Sequence, residues 1–170
     1  MLSGSGNNFG TLLRSVPGKA ASALYPVQNK PGQFVTYSYI EGVKLLDVDG
    51  NTHAQLPKNT DRAAMAVAPD GDLLLFGNRL QTLQGKELKR LKLAGTLADA
   101  AFSTDGQVIA TGANRTVQIW SREGKEQASM QTEHPIFSIA VAPDGQRIAV
   151  GLQDGSIEVW TTSGRLIQRM

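Results

Sequence analysis

Apolar runs of about five residues recur along the chain, and each is cut by a pair of turn-forming residues. The clearest series lies at the end. Phe137-Ser138-Ile139-Ala140-Val141 breaks at Ala142-Pro143-Asp144-Gly145, and Arg147 to Leu152 breaks at Gln153-Asp154-Gly155. Ser156 to Thr161 breaks at Ser163-Gly164, and Arg165 to Met170 follows. Short β-rich segments separated by Asp-Gly or Ser-Gly pairs predict a four-stranded antiparallel meander. Asp tolerates a left-handed backbone and Gly adopts it freely, so the chain can reverse within such a pair.

The meander repeats upstream. Its first turn recurs at Gly32, Gly71, Gly106 and Gly145, spaced by 39, 35 and 39 residues. Its last turn recurs at Gly50, Gly85, Gly124 and Gly164, spaced by 35, 39 and 40. Trp120 and Trp160 are 40 apart. Two turn positions keeping nearly one period predict four copies of a unit of about 40 residues, the length of one four-stranded propeller blade. The expected units are 21–60, 61–95, 96–132 and 133–170. The second is short: Gly71 to Gly85 spans 14 residues, against 18 or 19 in the others. Its middle hairpin has lost about four residues.

The stretches Ala101 to Trp120 and Ile139 to Trp160 resemble WD-repeat blades, the bacterial variety in particular. That family places an Asp in the turn before the third strand, six residues ahead of a Trp. Asp154 and Trp160 fit, and Asn114 and Trp120 fit with Asn in place of Asp. The family also has a His before the first strand, which hydrogen-bonds toward that Trp and Asp, and His134 is placed for this in the last copy. Glu133 stands where the family has Gly, and Val150 where a strand hydroxyl completes the set. Thr111 matches that hydroxyl in the third copy, which has no His. The first two copies lack the Trp and share mainly the turn spacing. The resemblance implies an all-β fold of four propeller blades forming a partial or oligomer-completed ring. It assigns structural roles to His134, Asp154, Trp160, Asn114, Trp120 and Thr111.

Residues 1–20 stand outside the repeat and read either as a flexible leader or as a strand, Thr11 to Val16, that locks a ring. Residues 85–102 admit a second reading, an amphipathic helix through Leu88, Leu91, Leu93 and Leu97. The register of the later copies favours an outer strand from Lys86 to Leu93 and an inner strand from Leu97 to Ser103.

Composition agrees with a folded, turn-dense chain: 41% hydrophobic, 19% charged and 18 glycines in 170 residues. The absence of cysteine excludes disulfides, thiolate metal sites and cysteine nucleophiles. No stretch has the length of a membrane-spanning helix, and the start lacks the regions of a signal peptide, so a cytoplasmic location without membrane contact is expected. A net charge of +2 carries little information about partners, although the pI is about 9.0.

Candidate chemistry is sparse. His53 and His134 are the only histidines, and neither has a nucleophile or second base fixed beside it in sequence. Asp47-Val48-Asp49-Gly50-Asn51 resembles the start of a calcium loop, but Lys58 occupies the twelfth position, where an acidic ligand is required. Asp70, Asp105, Asp144 and Asp154 could be counted as a carboxylate set, but repetition at equivalent places says that each serves its own turn. No catalytic, metal or cofactor residues are assigned. Lys86, Lys89, Arg90 and Lys92 form one basic cluster. It reads either as a site for an acidic or nucleic-acid partner or as charge protecting an edge strand, and the second is favoured because no aromatic residues are interleaved for base stacking.

The functional expectation is a non-enzymatic scaffold for protein–protein interaction, without nucleic acid. Contacts are expected at the loops Asn78-Arg79, Asn114-Arg115 and Gln153-Asp154. Four blades leave two terminal faces unmatched. They can close a small ring alone, join a second copy, or be completed by a protein partner or a longer polypeptide. A structural subunit of a larger bacterial or viral assembly, joined through open blade edges, is the alternative.

Overall fold

A computed structural model describes residues 23–38, 40–56 and 65–170. Every regular element among them is a β-strand, and they form four separate antiparallel sheets of four strands each. No helix among the described residues is long and apolar enough to cross a membrane.

The first sheet holds β1 (Ala23–Pro26), β2 (Gln33–Ser38), β3 (Gly42–Asp47) and β4 (Thr52–Gln55). The second holds β5 (Met65–Val67), β6 (Leu73–Phe76), β7 (Arg79–Thr82) and β8 (Glu87–Arg90). The third holds β9 (Leu97–Phe102), β10 (Val108–Ala113), β11 (Thr116–Ser121) and β12 (Glu126–Gln131). The fourth holds β13 (Ile136–Val141), β14 (Arg147–Leu152), β15 (Ile157–Thr161) and β16 (Leu166–Arg169). Strands follow one another in chain order within each sheet, which makes every sheet a meander. The span 85–102 therefore contains β8 and β9, and the helical alternative does not form.

The turns form where glycine permits a left-handed backbone. Gly71, Gly106 and Gly145 have φ between 66° and 71°, and each donates its N–H to the carbonyl three residues earlier. The first sheet departs from this pattern. Val27 bonds to Gln33, whereas Ala68 bonds to Leu73 and Ser103 to Val108. That turn is one residue longer, so Gly32 lies one register position past the place that matches Gly71. The shortened hairpin of the second sheet is seen directly, since β6 and β7 have four residues where β10 and β11 have six.

Three cores join neighbouring sheets in sequence. Val35, Tyr37 and Leu45 of the first pack with Met65, Leu74 and Phe76 of the second. Leu75, Leu80 and Leu91 pack with Ile109 and Trp120 of the third. Ala110, Val117, Ile119 and Met130 pack with Ile136, Ile139, Ile148 and Val150 of the fourth. Polar ties support the stacking: the Ile139 N–H donates to the Asp99 carboxylate at 2.8 Å, and Arg122 reaches Asp70 at 2.6 Å. Among the described residues no core joins the first sheet to the fourth. The sheets form an open arc of blades rather than a closed ring.

Candidate interaction surfaces

Antiparallel pairing puts the turn between the second and third strands at the same end of the sheet as the link to the next sheet. Asn78, Asn114, Arg115, Gln153 and Asp154 are exposed at that loop end, and Arg79 is half-buried at the start of β7. Asn114 is the one non-glycine residue with a left-handed backbone among those described (φ 53°), as a two-residue turn between Ala113 and Thr116 requires. Its carbonyl accepts the Ile136 N–H at 2.7 Å, which ties the third sheet's turn to the fourth sheet's first strand. Asp154 accepts the backbone N–H and the hydroxyl of Ser156 at 3.1 and 2.7 Å. The Ser156 hydroxyl is the main cause holding the Asp154 carboxyl below the ordinary aspartate range.

The two tryptophans find different partners. In the third sheet the Trp120 indole N–H donates to the Thr111 hydroxyl at 2.9 Å, and that hydroxyl donates to the Gln118 carbonyl at 3.3 Å. In the fourth sheet His134 lies 3.3 Å from Asp154, while the Trp160 indole donates to the Glu158 carboxylate at 2.9 Å. Val150, opposite Glu158 in the ladder, offers no hydroxyl.

Glu158 is the residue that sequence reasoning passed over. Its side chain is fully buried, and besides Trp160 it accepts Arg169 at 2.9 Å and the Glu133 N–H at 3.3 Å. Arg169 also pairs with Glu133. Gln118 does the matching work one copy earlier: it accepts the Ala94 N–H at 3.0 Å and donates to the Lys92 carbonyl at 3.1 Å. Each therefore clamps the link that enters its own sheet. The signal was present, since Gln118 and Glu158 are 40 residues apart and each stands two before a Trp.

A groove of about 690 Å³ opens beside the clamped link between the second and third sheets. Its lining includes Gly77, Asn78, Arg90, Lys92, Leu93 and Thr96. Elsewhere the histidine and carboxylate chemistry is local. His53 pairs with Asp47 at 2.9 Å, and Asn51 and Asp49 occupy the same carboxylate, which lies well below its usual range chiefly through the Asn51 side chain. Among the described residues no three His, Cys, Asp or Glu side chains gather as a metal site would require.

The outer faces of the arc remain open. On the fourth sheet Ile157 is 41% exposed, and on the first Leu24 is 63% exposed. Phe137 and Met170 are also exposed.

The "WD domain, G-beta repeat" family matches residues 77–121 and 124–161. Among curated proteins, the chain is 30% identical over 118 residues to a periodic tryptophan protein 2 homolog of Neurospora crassa, covering 63% of this chain and 13% of that protein. It is 28% identical over 116 residues to the small ribosomal subunit protein RACK1y of Oryza sativa subsp. japonica, covering 59% and 34%. It is 33% identical over 113 residues to WD repeat-containing protein 1 of Gallus gallus, covering 59% and 19%. The chain thus spans about a third or less of the length of these relatives.

Proposed function

The chain carries WD repeats of the G-beta type, and we propose that it is a protein-binding scaffold whose four-bladed arc is completed by blades of another chain. A second copy is the simplest candidate and gives eight blades. Protein partners then dock at the loop end, where Asn78, Arg79, Asn114, Arg115, Gln153 and Asp154 stand on the rigid sheets. The structural pairs Trp120–Thr111 and His134–Asp154, with Trp160, hold those loops in place.

One observation carries this reading. The open face of the fourth sheet repeats the buried face of the third. Ala101, Ala110, Gly112, Val117, Ile119 and Met130 of the third correspond to Ala140, Ala149, Gly151, Ile157, Val159 and Met170 of the fourth. On the third sheet this pattern is the seat for Ile136, Ile139 and Ile148. A Cβ added at Gly112 would come within 2.7 Å of Ile136 and 2.8 Å of Ile139, so the next blade needs a glycine there. The same Cβ at Gly151 would meet only Ser138 within 4 Å, chiefly its rotatable hydroxyl. A surface built like a blade seat, left open, favours an occupant shaped like a blade. The first sheet offers the opposite surface, with Leu24, Phe34 and Leu46.

The test is mass in solution by analytical ultracentrifugation. The expected result is a dimer, or a complex with a blade-bearing partner, that Gly151→Leu and Val159→Asp disrupt while circular dichroism stays unchanged. A compact wild-type monomer whose stability and mass ignore both substitutions would overturn the proposal.

A further inference from the structure

We propose that the groove between the second and third blades binds a short acidic peptide with apolar side chains between its carboxylates. The inference rests on the scaffold reading and names the partner class for one site at the loop end.

The groove follows from a deletion in the sequence. β6 and β7 are each two residues shorter than β10 and β11, and at about 3.3 Å per residue the second blade stops roughly 7 Å short. Gly77 and Asn78 form the lowered turn, with Gly77 at φ 59°. The link to the third blade rises beside it and forms one wall. That wall is fixed from behind: Gln118 holds the Lys92 carbonyl and the Ala94 N–H, and the Leu91 N–H donates to the Asn78 carbonyl at 2.8 Å. A fixed wall removes the ordering cost that a mobile loop imposes on binding.

The lining selects the ligand. Among the described residues, Arg90 and Lys92 are the charged members of its lining, and no carboxylate is among them. Arg90 pairs with Glu87 at 2.9 Å, whereas Lys92 has no carboxylate within ion-pair distance among the described residues. Leu91, Leu93 and Leu97 supply apolar floor between the cations. A cationic rim over leucines complements alternating acidic and apolar side chains. Single-stranded RNA would need a stacking platform, and no aromatic residue lines the groove.

The experiment selects from a random heptapeptide library displayed on phage, using the whole chain as bait. Wild type should enrich peptides rich in Asp and Glu with interspersed apolar residues. Arg90→Glu/Lys92→Glu should lose that enrichment and select basic peptides in its place, while Lys89→Glu, outside the groove, should behave as wild type. For an enriched peptide, fluorescence anisotropy should show at least a tenfold weaker Kd in the double variant. Enrichment without acidic residues, enrichment indifferent to the charge reversal, or displacement of the peptide by a 12-nucleotide RNA would overturn the proposal. Ultracentrifugation of the same variants keeps the two questions apart, because the charge reversal should leave the solution mass unchanged.

Discussion

The third and fourth blades have nearly the same length, the same strand order and a tryptophan at the same place, yet they satisfy that tryptophan differently. Trp120 uses a neutral hydroxyl on the preceding strand, and its neighbour Gln118 is left free to clamp the link that enters the sheet. Trp160 has Val150 in place of that hydroxyl, so Glu158 must serve both the indole and the link. The fourth blade therefore buries a carboxylate, balanced by Arg169 from the outermost strand. One missing hydroxyl goes with one buried charge in an otherwise apolar face. The third blade has the less costly arrangement, because neutral groups lose less on burial than ions do.

Removing Glu158 should have the largest effect. Glu158→Ala strands the indole N–H and half-frees Arg169, and should lower the unfolding free energy by about 2 kcal/mol, below the roughly 3–5 kcal/mol of a fully buried broken pair because Arg169 is partly solvated. Gln118→Ala should cost about 1 kcal/mol: it loses two hydrogen bonds to backbone groups and one to the Glu126 carboxylate, but leaves no charge buried without a partner. Urea denaturation of both variants compares them; equal losses would remove the claim that charge distinguishes the blades.

Next comes conversion of one blade into the other. Val150→Thr/Glu158→Gln rebuilds the third blade's set inside the fourth and should stay within about 1 kcal/mol of wild type, far closer than Glu158→Ala. The Trp160 indole proton, followed by NMR, should move toward the Trp120 position. If the double variant is as unstable as Glu158→Ala, the two networks are not equivalent.

Acid should have the smallest effect, and it should act unevenly. Asp154, in the fourth blade's second turn, titrates, whereas the third blade has Asn114 there. Hydrogen bonds from Ser156 depress the folded Asp154 value. Its contribution is thus complete above the unfolded aspartate value of about 4 and fades as pH falls through the lower folded value. Amide exchange around Ser156 should quicken below pH 4 while that around Arg115 does not, and Asp154→Asn should abolish the difference.

The blades themselves were legible in the sequence because glycine turns are local. A left-handed residue is needed wherever the chain reverses, and Gly71, Gly106, Gly145 and Gly164 announce it without reference to the rest of the molecule. Thr111 and Trp120 were matched through the resemblance to WD-repeat blades. Glu158 was not, and the reason is physical. Alternation through Ile157-Glu158-Val159 reads as apolar in and polar out, the normal rule for a half-buried strand. In this blade the covered face is the one bearing Glu158, and Ile157 faces open space. The fourth blade inverts the rule because its second apolar face is left uncovered. The groove was hidden for another reason: its cations read as edge protection, and only the shortened β6–β7 hairpin placed beside the clamped link creates a concavity.

The correspondence between Gly112 and Gly151 reaches beyond assembly. Because both blades present the same docking profile forward, a unit could be inserted, deleted or exchanged between them without any new interface having to be invented. An architecture of this sort can change its circumference by unequal recombination in single steps, so blade number is the property most free to vary among descendants of this chain.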